Sequence, residues 1–476
     1  MDPENKISIY IDHLNSRGWG VGDFAPPPPA QLKKVEVIGS LPGDELLVQV
    51  SRKRGKKWRA DLFDVKRSSF LRVLPRCAHV PLCGGCTWQQ MDYHAQLTEK
   101  EKRIQKAFAE LIPTHQTECR PIIPCEEPWH YRNKMEFSFS QDRAGKRFLG
   151  LILAGSKGHV LPLKECHLVS SWFISLLNHV CFWWEQSGLS AYRMNDTGTL
   201  RTVTVREGKR TKDKLVMLTV SGNPAYAILK ADLYRFVEAV KASVPKEEWP
   251  RLSIFLRIQQ IHRKAATQFF EMHLFGPDHL LEKIYLSLDK SLELSFKISP
   301  TSFFQTNTFQ AEKLYSEALN MIVFPKNHVL DLYAGTATLG MAMASRAKKV
   351  TAIELNPHAC FDAESNKVLN QLHHLEILCG DVGKKLEELQ ARPDFILPDL
   401  IVIDPPRVGL DSKALAYLKV FQAEEILYIS CNEKTQAINI QNICTMGYRL
   451  VCIQPVDLFP HTPHIENIAL LKRDKT

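Results

Sequence analysis

The sequence predicts a multidomain protein with a small N-terminal β-barrel, a central α+β domain and a C-terminal doubly wound α/β domain. The length of 476 residues is enough for roughly two to four domains. Short strands separated by turn residues fill the first 70 residues, and alternating strands and helices begin near residue 300. We therefore expect domains at residues 1–70, 71–300 and 301–476.

Composition and charge restrict the class of protein. The N-terminus has no basic stretch followed by an apolar one, and no apolar run approaches the roughly 18 residues that span a bilayer. We expect a cytoplasmic protein with no membrane partner, and a monomer. The net charge of +9 is compatible with a polyanionic partner.

The first 70 residues alternate apolar and polar side chains, as strands of a small barrel do. Strands are predicted at Lys6–Asp12, Val35–Ile38 and Glu45–Val50, with a turn at 18–22 and a polyproline loop at 25–30. Six of the nine residues at 51–59 are basic, and Trp58 lies among them. Such a segment is either an oligonucleotide-binding surface or a solvated hairpin tip.

Three cysteines form a tight group after the barrel. Five residues separate Cys77 from Cys83, and two separate Cys83 from Cys86. In a reducing compartment such a group indicates a metal site more than disulfides. Thiolates hold zinc or an iron–sulfur cluster, and three close cysteines with one remote ligand favour [4Fe–4S]. The candidates for the fourth ligand are Cys119, Cys125 and Cys166.

The central region is predicted to mix a helix with antiparallel strands. The helix covers residues 90–111. Two strand pairs are expected, and they comprise residues 201–206 with 215–220 and residues 254–258 with 268–274. Residues 129–134 mix aromatic and cationic side chains, so they either line an RNA groove or form the polar edge of a strand.

Seven strands are predicted after residue 300, and their order suits a doubly wound sheet with a final antiparallel pair. They lie at His328–Tyr333, Lys349–Leu355, Leu375–Cys379, Leu400–Asp404, Glu425–Ser430, Arg449–Gln454 and Ile468–Leu471. Ligands of such sheets bind beyond the carboxyl ends of the strands.

The first two of these strands carry the pattern of a nucleoside site. A turn at 333–340 leads into a helix, and Glu354 ends the second strand, where an acidic residue binds ribose hydroxyls. The turn lacks both a dinucleotide fingerprint and a phosphate-binding lysine. This combination favours S-adenosylmethionine, with Asp381 after the third strand placed to reach the adenine.

The remaining strand ends supply reactive groups. Asp404 precedes two prolines and is placed to bind the methionine portion of the cofactor or the target base. Cys431 follows a buried strand, where it is either a nucleophile or a small apolar filler. Glu466 precedes the last strand and is a candidate general base. A thiolate, a base and a methyl donor together suit methylation of uracil at C5.

These motifs resemble the bacterial RNA uridine-C5 methyltransferases, in particular the ribosomal-RNA branch. The resemblance rests on the Cys77–Cys86 group, the 303–307 segment, the turn at Tyr333, the Asp404 strand end and the Ser-Cys-Asn around Cys431. It implies a TRAM-type barrel, an S-adenosylmethionine cofactor and a 23S ribosomal RNA substrate. It also implies roles for individual residues. The implied cofactor contacts are Gln305, Tyr333, Glu354 and Asp404, the cluster ligands are Cys77, Cys83, Cys86 and Cys166, the nucleophile is Cys431 and the base is Glu466.

Three positions depart from the pattern of the family. Ala334 stands at a usual cysteine, Ala337 at a usual glycine and Glu433 at a usual proline. An inward-facing Glu433 would raise the pKa of the neighbouring thiol. The alternatives are a tRNA or multisite uridine-C5 methyltransferase and a non-catalytic RNA-binding or chaperone protein.

Overall fold

The computed structural model of the protein describes residues 6–24, 33–54, 57–261, 265–286 and 291–474, with the side chains of residues 51–54 and 57 left out of the description. The predicted polyproline loop at 25–30 lies outside the described residues. Residues 55 and 56 of the basic segment also lie outside the described residues, and the side chains of residues 51–57 are not described.

The N-terminal unit is a closed five-stranded barrel, as predicted. Its strands are β1 (Lys6–Leu14), β2 (Gly20–Phe24), β3 (Lys33–Val37), β4 (Glu45–Arg54) and β5 (Lys57–Arg67). The order around the barrel is β1-β2-β3-β5-β4, and β4 pairs back onto β1. The prediction of a turn at 18–22 is wrong for residues 20–22, which form the start of β2. Gly22 allows β1 and β2 to approach each other closely, because a Cβ at this position would lie 2.2 Å from the carbonyl oxygen of Tyr10.

The central region contains the predicted helix and both predicted strand pairs. Its elements are α1 (Tyr93–Ala107), α2 (Leu111–His115), β6 (Glu118–Cys119), β7 (Lys134–Gln141), β8 (Arg147–Ile152), β9 (Val160–Pro162), α3 (Ser171–Glu185), β10 (Leu200–Glu207), β11 (Lys214–Ser221), α4 (Lys230–Ala242), β12 (Leu252–Gln260), β13 (Gln268–Phe275), β14 (Leu280–Leu286) and β15 (Leu292–Ile298). Helix α1 is shorter than predicted because Asp92 caps it, accepting from the backbone N–H groups of His94 and Ala95.

Seven of these strands form one sheet in the order β13-β12-β11-β10-β7-β8-β9. Helices α3 and α4 cover one face, where alternate side chains such as Phe137, Val203 and Leu218 form an apolar core. Strands β11 and β12 are parallel, since α4 connects them as a crossover. The sequence did not indicate this parallel pairing.

The C-terminal unit is the predicted doubly wound sheet. Its elements are α5 (Thr308–Asn320), β16 (Lys326–Leu332), α6 (Thr338–Ala344), β17 (Ala347–Glu354), α7 (Pro357–Leu369), β18 (Leu375–Cys379), α8 (Val382–Gln390), β19 (Leu400–Ile403), α9 (Ser412–Phe421), β20 (Glu425–Ser430), α10 (Glu433–Cys444), β21 (Tyr448–Val456) and β22 (Glu466–Arg473). The strand order is β18-β17-β16-β19-β20-β22-β21-β6. The short strand β6 of the central region adds an eighth strand beside β21.

This topology collects the ends of four parallel strands at one edge of the sheet. Strands β16, β17, β19 and β20 are parallel, so Tyr333, Glu354, Asp404 and Cys431 all lie at or just beyond that edge. Strand β22 runs antiparallel to β20, and its register pairs Asn467 with Ser430. The start of β22 therefore meets the end of β20. Among the described helices, none has the length and apolarity needed to cross a membrane.

Candidate active site

Cys431 lies in the two-residue connection between β20 and α10, and hydrogen bonds on either side fix its backbone. The Ser430 Oγ accepts from the backbone N–H of Asn432 at 3.1 Å. The Asn432 amide donates to the carbonyl oxygen of Arg407 at 2.9 Å and to the hydroxyl of Thr435 at 2.7 Å. The Ser-Cys-Asn segment is thus attached to the loop that follows Asp404. The cysteine side chain remains partly accessible.

The charges around Cys431 act on its thiol in opposite directions. Burial raises the pKa of Cys431, and the nearby carboxyl groups of Glu466 and Asp404 raise it further, whereas a hydrogen bond and the positive charge of Arg407 lower it. Arg407 in turn donates from Nη2 to Nδ1 of His464 at 2.9 Å. Burial and neighbouring cations lower the pKa of His464 to about 4, so the imidazole is neutral and accepts this bond.

Glu466 is the first residue of β22 and its side chain is buried. Burial raises the pKa of Glu466 well above its ordinary value, the charge of Asp404 raises it further, and Arg407 opposes the shift. Burial alone raises the pKa of Asp404 to about 7. Cys431, Glu466, Asp404 and Arg407 therefore form one electrostatic group. A basic carboxylate beside a thiol is an arrangement that can add a nucleophile and then remove a proton.

Glu433 does not act on the thiol as an unpaired charge. Its buried carboxylate accepts from Arg103 of α1 at 2.7 Å and 3.2 Å. The same guanidinium donates to the carbonyl oxygen of Pro463 at 2.5 Å. Arg103 therefore connects the loop of Cys431 to the loop that precedes Glu466.

Three more polar side chains of α1 hold that second loop. Lys100 forms an ion pair with Asp457 at 2.5 Å, and neither side chain is exposed. The Tyr93 hydroxyl donates to the same carboxylate at 2.8 Å. The Gln96 side chain accepts from the backbone N–H of His461 at 2.8 Å. One face of α1 thus supports the residues immediately before Glu466.

Hydrogen bonds and positive φ angles fix the turn after β16. Glu354 accepts from the backbone N–H groups of Gly335 at 2.8 Å and Asn356 at 2.7 Å. Tyr333 has a φ of 62° and donates its hydroxyl to Asp411 at 3.0 Å. Ala337, where the resemblance expects glycine, is buried with a φ of 57°, a conformation that costs a non-glycine residue about 1 kcal/mol. This alanine is therefore accommodated with strain.

Asp381 lies near this turn. Burial, the hydrogen-bonded Asp411 and, as a smaller contribution, the charge of Asp381 raise the pKa of Tyr333. Asp381 follows β18 and caps α8, where it accepts from the backbone N–H of Lys384 at 3.1 Å, and it is exposed.

Asp331 is a site residue to which the sequence assigned no role. It is buried, and burial with the charges of Asp404 and Glu354 raises its pKa to about 7. Its Oδ2 accepts from the backbone N–H of Gly340 at 2.8 Å, and its Oδ1 has no hydrogen-bond partner among the described residues. A signal was present, since an aspartate inside an apolar strand must have a reason to be there.

Gln305 lies near the same acidic group. It is buried and hydrogen-bonds Tyr315, whose pKa is raised by burial and by the charges of Asp404, Glu466 and Asp331. The structure therefore brings Gln305, Asp404 and Glu466 together around the side chain of Tyr315.

The cysteines of the second candidate site also come together. Burial raises the pKa values of Cys77, Cys86 and Cys166. Smaller contributions come from Cys83 and Cys166 at Cys77 and Cys86, and from Cys83 at Cys166, so these thiols are neighbours. Gly84 permits the loop to fold closely, since a Cβ there would lie 2.6 Å from the carbonyl oxygen of Ile152. Four neighbouring thiols suit a metal or an iron–sulfur cluster, although among the described residues no three of these sulfur atoms lie within 4.8 Å of one another. A second donor group overlaps this one, with Cys77, His79 and Glu165 all within 4.8 Å of one another.

The other two candidates for the fourth ligand lie elsewhere. Cys119 is exposed on β6. The Cys125 thiol lies 3.7 Å from the amide of Asn307.

A cavity of about 890 Å³ connects the cysteine group with the active-site rim. Its walls include Trp19 of the barrel, Cys86, Lys134, Arg206 and Arg407. Burial and the neighbouring charges of Arg206 and Arg257 lower the pKa of Lys134 to about 8. The cavity therefore offers a cationic surface that extends to Arg407, the neighbour of Cys431.

Two tryptophans singled out by the sequence have packing roles. Trp58 packs edge-on against Phe24 of the barrel at 5.5 Å, which does not support it as an open stacking surface. Trp129 stacks on His461 at 4.1 Å beneath the guanidinium of Arg76. The residues after Trp129 that line the cavity are Arg132 and Lys134, so the segment 129–134 is both a packed edge and a cationic wall.

Comparison with known proteins identifies relatives along nearly the whole chain. Residues 253–474 match the family described as tRNA (uracil-5-)-methyltransferase. An uncharacterised RNA methyltransferase of Protochlamydia amoebophila is 46% identical over 92% of this chain and 99% of its own length. One of Caldanaerobacter subterraneus is 32% identical over 98% of both chains.

The fold has a counterpart among solved structures. The tRNA (uracil-54, C5)-methyltransferase of Pyrococcus abyssi, crystallised with S-adenosyl-L-homocysteine, superposes with a TM-score of 0.72 over 98% of this chain and 100% of its own. The two sequences are 24% identical.

Replacing Arg407 with methionine should raise the pKa of the Cys431 thiol, because a hydrogen bond and a positive charge that favour the thiolate are lost. We expect alkylation of Cys431 by iodoacetamide at pH 8 to slow about fivefold, less than for a fully buried contact because Arg407 is exposed. Peptide mass spectrometry measures the rate of Cys431 alkylation across pH 6–10. Arg449→Met, which alters an exposed arginine on β21, is the control. A profile unchanged by Arg407→Met would remove Arg407 from this role.

Proposed function

Because the chain belongs to the tRNA (uracil-5-)-methyltransferase family of RNA methyltransferases, we propose that it methylates C5 of a uridine in RNA with S-adenosylmethionine as the methyl donor. The observation that carries the proposal is the proximity of a thiol, Cys431, to a buried carboxyl group of raised pKa, Glu466. A uracil needs both groups, because its C5 is a poor nucleophile until a thiolate adds at C6.

The proposed reaction begins with the thiolate of Cys431, which forms a bond to C6 and moves the ring electrons to the O4 enolate. The enolate electrons then form the C5–methyl bond; S-adenosylmethionine would supply the electrophilic methyl carbon, and its S–CH3 bond electrons would stay on the sulfur of the departing S-adenosylhomocysteine. Glu466 removes the proton from C5. The electrons of the C5–H bond restore the C5–C6 double bond, and the C6–S bond breaks to return the thiolate. Arg407 stabilises the thiolate at the start and at the end of this sequence.

The residues around the turn after β16 fit the proposed cofactor. Glu354 is proposed to bind the ribose, and Asp331 and Asp404, whose pKa values burial raises, are proposed to bind the cationic methionine portion. The unpartnered Oδ1 of Asp331 is an acceptor that a bound ligand or water would satisfy. Gln305 and Tyr333 are proposed as further contacts, and Asp381 is proposed for the adenine.

The proposed substrate is 23S ribosomal RNA. The support is the combination of a barrel with a four-cysteine group, both of which the resemblance assigns to the ribosomal-RNA branch. The cationic cavity between these two features and Cys431 is a suitable path for a single strand. We further propose that the enzyme acts as a cytoplasmic monomer with the three domains expected from the sequence.

The four cysteines are proposed to hold a [4Fe–4S] cluster. Their donor set is all thiol, which matches the ligation of such clusters. Its role would be structural, since methyl transfer exchanges no electron. The residues directly after Cys86 support this role, because the backbone N–H groups of Thr87 and Trp88 both donate to the carbonyl oxygen of His461 at 3.0 Å. The cysteine loop is thus attached to the loop that precedes Glu466.

RNA that contains 5-fluorouridine should trap the enzyme, because fluorine at C5 leaves no proton to remove and the C6–S bond then persists. We expect a stable protein–RNA adduct in the presence of S-adenosylmethionine and none with Cys431→Ala. Denaturing gel electrophoresis and peptide mass spectrometry identify the attached residue. The control is Cys444→Ala, which changes a partly buried cysteine at the end of α10, the helix that follows Cys431. An adduct that survives Cys431→Ala would refute the mechanism.

Anaerobically purified protein should contain about four irons per chain and absorb near the wavelengths of iron–sulfur clusters. Cys166→Ala should lose that iron, whereas Cys119→Ala should keep it, because Cys119 is exposed on β6. Iron and sulfide analysis with visible absorption measures both. One zinc per chain without iron would contradict the cluster.

A further inference from the structure

The face of the seven-stranded sheet that α3 and α4 leave uncovered contains a second cavity. Its volume is about 440 Å³, which is in the range of small-ligand pockets. The strands that form its floor contribute Thr202 of β10, Thr219 of β11, Arg257 and Gln259 of β12, and Phe269 of β13. These side chains alternate with the apolar ones that face the helices.

Three residues that line this cavity hold buried polar atoms without a hydrogen-bond partner among the described residues. They are Nη1 of Arg201, Oγ1 of Thr219 and Nε of Arg257. The nearest carboxylate oxygen to the Arg257 Nε belongs to Glu271 and is 3.7 Å away, an ion pair longer than a hydrogen bond. An unsatisfied buried donor costs roughly 1–3 kcal/mol. The side chains of Arg201, Thr219 and Arg257 also line the cavity, so two guanidinium groups and a hydroxyl at its wall suit a ligand rich in acceptor oxygens.

Both arginines lie over aromatic rings. The Arg201 guanidinium is 3.6 Å from the centroid of Tyr192, and the Arg257 guanidinium is 3.8 Å from that of Phe269. A guanidinium placed over a ring in this way is restrained, and its planar group can stack on a further ring. Nucleobases stack on such surfaces, and the guanidinium edge donates to base carbonyl or phosphate oxygens.

The second cavity adjoins the one that extends to Arg407. Glu136, Ser138 and Ile152 line both. Strands β7 and β12 are three positions apart in the sheet order, a separation of roughly 14 Å. A single strand of RNA in the main cavity can therefore continue across the open face into the second.

We propose that the second cavity binds an unpaired nucleotide that flanks the methylated uridine in the same RNA strand. The base stacks on the paired arginine and aromatic side chains, and its oxygens or those of its phosphate take the free N–H groups of Arg201 and Arg257. This inference rests on the proposed function for the identity of the RNA. The interaction would contribute to RNA affinity and to the choice of sequence around the target, and not to the chemistry at Cys431.

The test compares binding of two labelled 12-nucleotide probes, oligouridylate and an abasic ribose-phosphate oligomer of equal charge. The variant is Arg201→Met/Arg257→Met, which keeps the aliphatic stems. We expect its dissociation constant for oligouridylate to rise about tenfold and its preference for the base-bearing probe to fall several-fold. Fluorescence anisotropy at fixed salt measures both quantities. Arg235→Met, on the exposed surface of α4, should change neither.

Two results would overturn the proposal. One is oligouridylate binding by the double variant within twofold of the wild type. The other is an equal loss of affinity for both probes, which would indicate attraction of phosphates alone. Phe269→Leu on the edge strand β13 is a second variant that removes a stacking ring without removing charge, and it should also reduce the preference for bases. Thermal unfolding of each variant excludes misfolding.

Formation of 5-methyluridine tests the proposed function separately from the binding pocket. If the wild type forms no 5-methyluridine in cellular RNA while the base preference depends on Arg201 and Arg257, the pocket stands and the reaction is wrong. If it forms 5-methyluridine and the preference is unchanged in the variants, only the pocket is wrong.

Discussion

The fully buried ion pair between Lys100 and Asp457 is the interaction on which the active site depends. Neither side chain is exposed, and removing one partner of such a pair costs about 3–5 kcal/mol because the other charge is left without solvent. Lys100 also donates to the carbonyl oxygen of Phe459 at 3.1 Å. Helix α1 and the loop before Glu466 are therefore held in one arrangement. Arg103, one turn farther along, extends this arrangement to Glu433 and the nucleophile loop.

The position of α1 also explains how distant parts of the chain contribute to one rim. The loop of cysteines runs into α1, and the Trp88 indole donates to the carbonyl oxygen of Gly18 in the barrel at 2.9 Å. The barrel, the cysteine loop and the rim around Cys431 are thus linked through residues 86–103. The rim itself collects the carboxyl groups of Asp331, Asp404 and Glu466, and burial raises the pKa values of all three. A sulfonium cation beside these groups would favour their charged forms.

Much of the fold could be predicted because its signals are local. Apolar runs that end in Asp404 or Ser430 mark parallel strands, and the residues after them must lie at one edge of the sheet. The Arg103–Glu433 pair could not be predicted, because it joins positions 330 residues apart and each appears in sequence as a solvated helix charge. The same holds for the two-residue strand β6, which is too short to have a periodicity. The second cavity was missed because its arginines are spread over separate strands and meet only across the sheet.

The central claim is that Cys431 forms the bond to the uridine and Glu466 allows it to break. Glu466→Gln keeps the shape of the side chain and removes the base. With S-adenosylmethionine and unmodified RNA, this variant should accumulate RNA that is methylated at C5 and still attached to Cys431, as intact-mass and peptide analysis would show. Turnover of Glu466→Gln at the rate of the wild type, with no attached RNA, would contradict the account.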